Sequence, residues 1–380
     1  MKNNKSDSNA DGKIVVLHVL DNLDYGGIQS FLLNIYKNIN REKIRFDFLL
    51  TYHGVYDEEF KKLVSNIYYI PNIKDVGYLK YVKGLRGFLR KHRNYSNIHI
   101  HYSQLTGLVS MISRRQGAKN IISHSHSASM QSKGKTALVK KIFQLGVGLF
   151  PNYYMACSKE AAKFLFHGKA NKAMILKNGV DLKQYKYDNK ERIIIRKELG
   201  YEKNDIVIGH IGRMDAVKNQ AFLIEILQEL NKKNNNYRLL LIGDGSEKKK
   251  LEELVKKSGV NERITFLGNK KDSDRYYNAM DTFVFPSKSE GLGIALIEAQ
   301  ANGLKCFAST AVPRDANATN TVTFISLEKP ATDWARIINE AALGRFDGRE
   351  LIIKNGYDIS DSAKRLQDFY ESINRLGGEE

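Results

Sequence analysis

The sequence predicts an α/β protein with two parallel sheets, each covered on both faces by helices, and three observations carry that prediction. Short runs rich in Val, Ile, Leu, Phe and Tyr alternate with helix-like segments along the chain, the pattern of parallel strands joined by crossovers. The strand-like runs form two sets divided by a polar, charge-mixed connector, VDLKQYKYDNKER. And 380 residues, 42% of them hydrophobic, exceed what one core holds.

In the first half KIVVLHVL, FDFLL, IYYIP, IHIHYS, NIISHSHS, YYMACS and AMILKNG read as strands; IQSFLLNIYKNI, LKYVKGLRGFLRKH and KEAAKFLFHG read as helices. In the second half the strands are IVIGHIG, YRLLLIGDG, ITFLGN, TFVFPS, LKCFAST and TVTFIS, entered through a short helix, IIIRKELG. The seam falls near 180–195. A polar, disordered tail is expected over 1–12, a first domain over 13–185, a second over 186–358, and over 359–380 a helix with an apolar stripe at Ala363, Leu366, Phe369, Tyr370 and Ile373.

Charge is lopsided. Residues 1–180 hold 28 Lys/Arg against 11 Asp/Glu, whereas 181–380 hold 32 against 31, and Val76 to Lys159 contains no acid at all. Such a run attracts an anionic lipid surface, a lipid-linked phosphate or nucleic acid; no nucleic-acid module signature accompanies it, which sets nucleic acid aside. Cys157 and Cys306 stand far apart, without metal-ligand spacing, as reduced core thiols would. No signal-peptide pattern or long apolar run is present, so a cytoplasmic protein is expected.

Ligands of parallel sheets sit beyond the carboxyl ends of strands, which directs attention to four loops. In LDYGGIQSF, Gly26 and Gly27 open a helix and suit either a turn or an anion contact. In GHIGRMDAVKNQ, Gly209 and Gly212 clear space for a ligand at a strand end. Arg213 and Lys218 follow, a guanidinium fork and a point charge fit for a diphosphate. In SEGLGIALIEAQANG, Gly291, Leu292 and Gly293 offer successive N–H groups at a helix start, with Glu290 at its mouth. Glu298 lies farther along among apolar residues, where an unpaired carboxylate is costly, so a hydroxyl-bearing ligand is expected to meet it. In NIISHSHS, His124 and His126 share a strand face; without a nearby Cys or carboxylate they make a poor metal site, and His124 is equally a substrate contact or a structural ring.

Together, the Gly-Gly loop, GR followed by Lys218, and EGLGIALIEAQANGLKCFAS with its E-x7-E spacing resemble the retaining glycosyltransferases of family 4, with the GT-B fold, and especially bacterial enzymes of capsular and exopolysaccharide assembly. The resemblance runs from about Lys13 to the terminal helix. It implies two Rossmann-like, doubly wound domains facing across a cleft, the terminal helix packing back toward the first. It implies an enzyme of the hexosyltransferase type moving a sugar with retention from a nucleotide-sugar donor, UDP-linked, to a saccharide on a polyprenyl diphosphate at the inner, anionic face of the membrane.

Residue by residue, the resemblance assigns Arg213 and Lys218 to the donor diphosphate, Glu298 to the ribose, and Glu290 with the backbone of Gly291, Leu292 and Gly293 to the donor sugar. Gly26 and Gly27 approach the donor from the first domain and His124 lies near the reacting sugar. Neither cofactor nor metal is expected. The segment KGKTALVKKIFQLGVGLF, with Leu138, Val139, Ile142, Phe143, Leu145, Val147, Leu149 and Phe150, is a candidate for the membrane interface. The rival readings are a nucleotide-sugar epimerase or phosphorylase of the same fold, and a non-catalytic subunit that binds the nucleotide-sugar or the lipid.

Overall fold

A computed structural model describes residues 12–24, 26–63, 66–102, 105–126, 146–232 and 236–376. The chain divides into two compact units, residues 1–179 with 359–380 and residues 180–358. The division comes a little before the expected 186 because Val180 and Tyr185 pack into the core of the second unit.

The first unit is a parallel sheet of β1 (Ile14–Val19), β2 (Ile44–Leu50), β3 (Asn66–Tyr69), β4 (Asn97–Ile100), β5 (Asn120–Ser125), β6 (Tyr153–Ala156) and β7 (Met174–Ile175), in the order β3-β2-β1-β4-β5-β6-β7. Its helices include α1 (Gly27–Asn38), α2 (Asp57–Leu63), α3 (Ile73–Lys91), α4 (Thr106–Arg115) and α5 (Lys159–Phe166). The two-residue period of a strand sorts the side chains. Val16, Phe46, Phe48 and Ile122 pack with α1, while Val15, Leu17, Val19, Ile98 and Ile100 pack with α3 and α4.

The second unit is built likewise from β8 (Ile206–Ile211), β9 (Tyr237–Ile242), β10 (Ile264–Phe266), β11 (Thr282–Phe285), β12 (Lys305–Ser309) and β13 (Thr323–Ile325), ordered β10-β9-β8-β11-β12-β13. Around it lie α6 (Asn189–Glu198), α7 (Gln220–Asn231), α8 (Lys248–Ser258), α9 (Ser273–Tyr277), α10 (Ile294–Ala301), α11 (Ala331–Glu340) and α12 (Arg349–Lys354). The last helix, α13 (Ile359–Leu376), belongs to the first unit. Its stripe of Ile359, Ala363, Leu366, Tyr370 and Ile373 is buried against the α1 side of that sheet, each large apolar side chain contributing about 2 kcal/mol.

In each sheet the winding reverses once, between β1 and β4 and between β8 and β11. Loops leaving two such strands diverge to opposite faces and open a crevice within the unit, the usual ligand position in this class of sheet. Gly209 does not serve that crevice: a Cβ there would overlap the Met280 side chain, so this glycine is required by packing and the expected ligand clearance falls to Gly212.

Among the described residues no helix is long and apolar enough to cross a membrane. Of the expected interfacial segment, Leu138, Val139, Ile142, Phe143 and Leu145 lie outside the described residues. Val147 is buried in the core rather than turned outward, because it packs with Tyr154 and the α5 side chains Ala161 and Leu165. Leu149 is exposed.

Candidate active site

The loop after β8 is shaped by its own side chains. Asp215 accepts hydrogen bonds from the backbone N–H groups of Val217 and Lys218, both at 3.1 Å, and Gln220 donates to the Arg213 carbonyl at 3.0 Å. This turn delivers Lys218 to the start of α7, where its Nζ meets Glu290 Oε1 at 2.6 Å and lies 5.1 Å from the centre of the Phe285 ring. Lys218 and Glu290, 72 residues apart, thus come together from the loops after β8 and β11. Arg213 remains largely exposed, its Nε 2.9 Å from Asp215.

Behind Glu290 the chain enters α10 through Gly293, whose left-handed backbone (φ 88°) favours glycine; a Cβ there would press on Phe285 at 3.1 Å. Neither a side-chain cap nor an acidic residue occupies the first turn of α10, so its positive end remains for an incoming oxygen. Leu292 is buried and anchors the loop in the core. At the other end the helix closes on Gly303 (φ 83°), with Leu304 N–H bonded to the Ala299 carbonyl and Gly303 N–H to that of Gln300, a Schellman pair.

Glu298 is half-buried, and burial pushes its carboxyl above the usual range. It nevertheless has partners within the protein: Tyr277 Oη donates to Oε2 at 2.8 Å, and hydrogen bonds from Tyr277 and Tyr185 pull the pKa back down. The expectation that a ligand alone makes this acid tolerable is therefore revised. Two tyrosines already hold it, and a ligand adds to them.

In the first unit β1, β4 and β5 bring five histidines onto the face shared with α1 and α13. His18 Nδ1 lies 2.9 Å from His101 Nε2, and His101 Nδ1 2.9 Å from His126 Nε2; His99 joins His124 at 3.2 Å and the Tyr370 hydroxyl of α13 at 2.6 Å. The ring nitrogens of His18, His99 and His101, and those of His101, His124 and His126, lie close enough to hold an ion. His101, however, uses both nitrogens on neighbouring rings, so the array as it stands is a hydrogen-bonded ladder. Burial lowers every one of these pKa values, to about 3 for His18 and His126, which keeps the rings neutral. His124 has no exposed surface, so the direct substrate contact expected of it is not available in this structure. His126, half-buried one residue past the end of β5, is the ring nearer solvent.

Gly26 and Gly27 open α1, again without a side-chain cap or first-turn acid, and Phe31 one turn on packs edge-to-face on His124 at 5.9 Å. The first unit thereby brings the Gly-Gly helix start and the ladder side by side, as the second brings together Lys218, Glu290 and the start of α10.

Sequence reading passes over three features. Gly243 and Gly245 of the GDG after β9 bring that loop against Gly212 and Met214, where a Cβ would collide with backbone; the paired glycines are the signal. Tyr277, the partner of Glu298, carries no local signal. Asp272-Ser273-Asp274 is an Asp-x-Asp triplet, the type of signal that chelating carboxylates give. Its acids do not converge, since Asp272 pairs with Arg275 at 3.2 Å while Asp274 bonds Gln184 and is raised by burial. A depression of about 730 Å³ elsewhere in this unit, lined by Leu182, Lys186, Asp347, Arg349 and Ile353, includes none of the expected site residues.

Residues 191–359 match the family described as glycosyl transferases group 1. EpsF of Bacillus subtilis (strain 168), which carries a glycosyltransferase name, is 30% identical over 369 residues, 93% of this chain and 96% of EpsF. The capsular polysaccharide biosynthesis glycosyltransferase CapH of Staphylococcus aureus is 24% identical, covering 94% of this chain and 99% of CapH. The Escherichia coli enzyme named UDP-Gal:alpha-D-GlcNAc-diphosphoundecaprenol alpha-1,3-galactosyltransferase is 23% identical over 94% of this chain and 97% of its own. Among solved structures, Anabaena HepE in complex with UDP and glucose matches with a TM-score of 0.72 at 20% identity, over 96% of this chain and 98% of HepE, a likeness of fold.

Proposed function

The chain belongs to the group 1 glycosyl transferases, with the GT-B fold and a place in polysaccharide biosynthesis, and from that premise we propose that it transfers a hexosyl group with retention from a UDP-sugar to a saccharide carried on a polyprenyl diphosphate. The observation that carries this reading is the meeting of Lys218 with Glu290 at 2.6 Å beside the uncapped start of α10. The UDP named with HepE and the diphosphoundecaprenol named with the E. coli relative support the two substrates.

Breaking the sugar–phosphate bond places negative charge on the departing diphosphate. Lys218 and the exposed fork of Arg213 receive that charge, which lowers the barrier most where the donors are already in place. On donor binding Lys218 exchanges Glu290 for phosphate, and Glu290, with the backbone of Gly291, Leu292 and Gly293, turns to the sugar hydroxyls. Glu298, its Oε2 fixed by Tyr277, takes the ribose hydroxyls. With these cations as the charge sink, the reaction needs no metal, and the leaving phosphate itself takes the acceptor proton.

The test is a thermal-shift panel of UDP, GDP, ADP and their sugars, followed by transfer from radiolabelled donor to membrane extract. UDP and one UDP-sugar are expected to raise the melting temperature by mass action. A preference for GDP or ADP would overturn the donor, and release of a free, modified sugar nucleotide without acceptor would overturn transfer.

A further inference from the structure

The outward face of α3 is a stripe of cations with one apolar side chain at its end. After the break at Gly77 (φ 77°), Leu79, Lys83, Arg86 and Arg90 recur at the spacing that stacks side chains on one face of a helix, flanked by Lys80 and Lys91. All six are exposed, Leu79 by 79%. The opposite face, with Tyr81, Val82, Leu85 and Leu89, is buried in the core and fixes the orientation of the helix. Ion pairs in this unit engage Lys37, Lys43, Arg45, His53, Lys61 and Arg375; among the described residues none of the five α3 cations is paired. Gly87 lies between them, and a Cβ there would touch nothing within 4 Å, so packing does not demand the glycine.

Like charges at this spacing repel one another and are favourable only against a surface of opposite charge. A protruding leucine gains nothing from a phosphodiester backbone but gains from entering an acyl boundary. We propose that this face of α3 docks the chain on an anionic lipid surface, its cations over headgroup phosphates and Leu79 entering the interface. The proposal deepens the functional reading and rests on it for the lipid-carried acceptor.

The test is co-sedimentation with vesicles of phosphatidylcholine containing about 30% phosphatidylglycerol, at near-physiological salt. The parent chain is expected to bind these and not pure phosphatidylcholine. Replacing Lys80, Lys83, Arg86 and Arg90 together by Gln should weaken binding by several hundred-fold, since each charge near such a surface is worth about 5-fold. Leu79→Ser should weaken it by about 10-fold. Because these side chains are exposed, the variants should keep the parent's melting temperature, UDP binding and transfer to a short water-soluble acceptor. Parent-like vesicle binding by the four-charge variant would overturn the proposal, as would a parent chain that retains short duplex DNA at this salt while ignoring the vesicles. Failure of the parent chain to transfer to the soluble acceptor would count against the functional reading instead, and leaves the vesicle result to stand by itself.

Discussion

In the first unit the side chains beside the point where the sheet reverses are imidazoles, neutral and joined ring to ring; in the second they are a lysine and two glutamates held by a counter-charge or by tyrosine hydroxyls. The imidazoles stand in or just past their strands, whereas Lys218 and Glu290 stand in the loops after β8 and β11 and Glu298 in α10, so the two units differ in the place as well as the chemistry of these side chains. A neutral imidazole can be buried deeply because each ring offers both a donor and an acceptor to the next. A carboxylate can approach the interior only as far as cations and hydroxyl donors follow it. The second unit therefore keeps charge at its crevice for a charged ligand, and the first keeps it out.

The largest effect expected from this contrast is on acid stability. The ladder's folded pKa values are depressed, so the rings stay neutral in the fold while the unfolded chain takes up protons below pH 6.5. Stability is complete above 6.5 and is lost as pH falls below it toward the lowered folded values, about 3 for His18 and His126. Five such rings lie together in the first unit. In the second, His210 stands alone, its pKa lowered by burial to about 4. Hydrogen exchange at about pH 5.5 should show β1, β4 and β5 losing protection before β8, β9 and β11; simultaneous loss would erase the contrast.

Lys218→Ala removes the cation from a Glu290 side chain only 9% exposed and should slow transfer by about 100- to 1,000-fold. Steady-state kinetics with a radiolabelled UDP-sugar measures it, and parent-like turnover would place the diphosphate elsewhere. Glu298→Ala should weaken UDP binding by about 10- to 100-fold through lost charge-assisted hydrogen bonds, whereas Glu290→Ala should impair transfer more than affinity. Calorimetry alongside the transfer assay separates the two, and the reverse ordering would exchange their roles.

The smallest effect is that of Tyr277→Phe, a few-fold loss of UDP affinity. Glu298 already sits above its usual range, so affinity should decline as the solution is acidified through its pKa. Removing the tyrosine hydrogen bond, which lowers that pKa, should move the decline to higher pH. An unshifted pH profile would mean that Tyr277 merely packs.

Much of this was legible beforehand. All thirteen described strands were read from the sequence, most of them as short apolar runs because burial on two faces leaves little room for polar residues, and the E-x7-E helix announced itself by a carboxylate among apolar neighbours. Gly209 misled, since a missing Cβ makes room for Met280 as readily as for a ligand. His124 misled because alternation tells which face a residue takes, not how deep it lies.

By itself the sequence determined the strands, their two sets and the acids and bases of the second site, since each is written in a local period or a short spacing. Tertiary structure alone decided that His18, His101 and His126 form one hydrogen-bonded chain, that His99, His124 and Tyr370 of the last helix form another stacked on it, and that Tyr277 holds Glu298. The physical reason is strand order. Placing β1 beside β4 and β4 beside β5 brings together side chains dozens of residues apart, and no local pattern records which strands become neighbours.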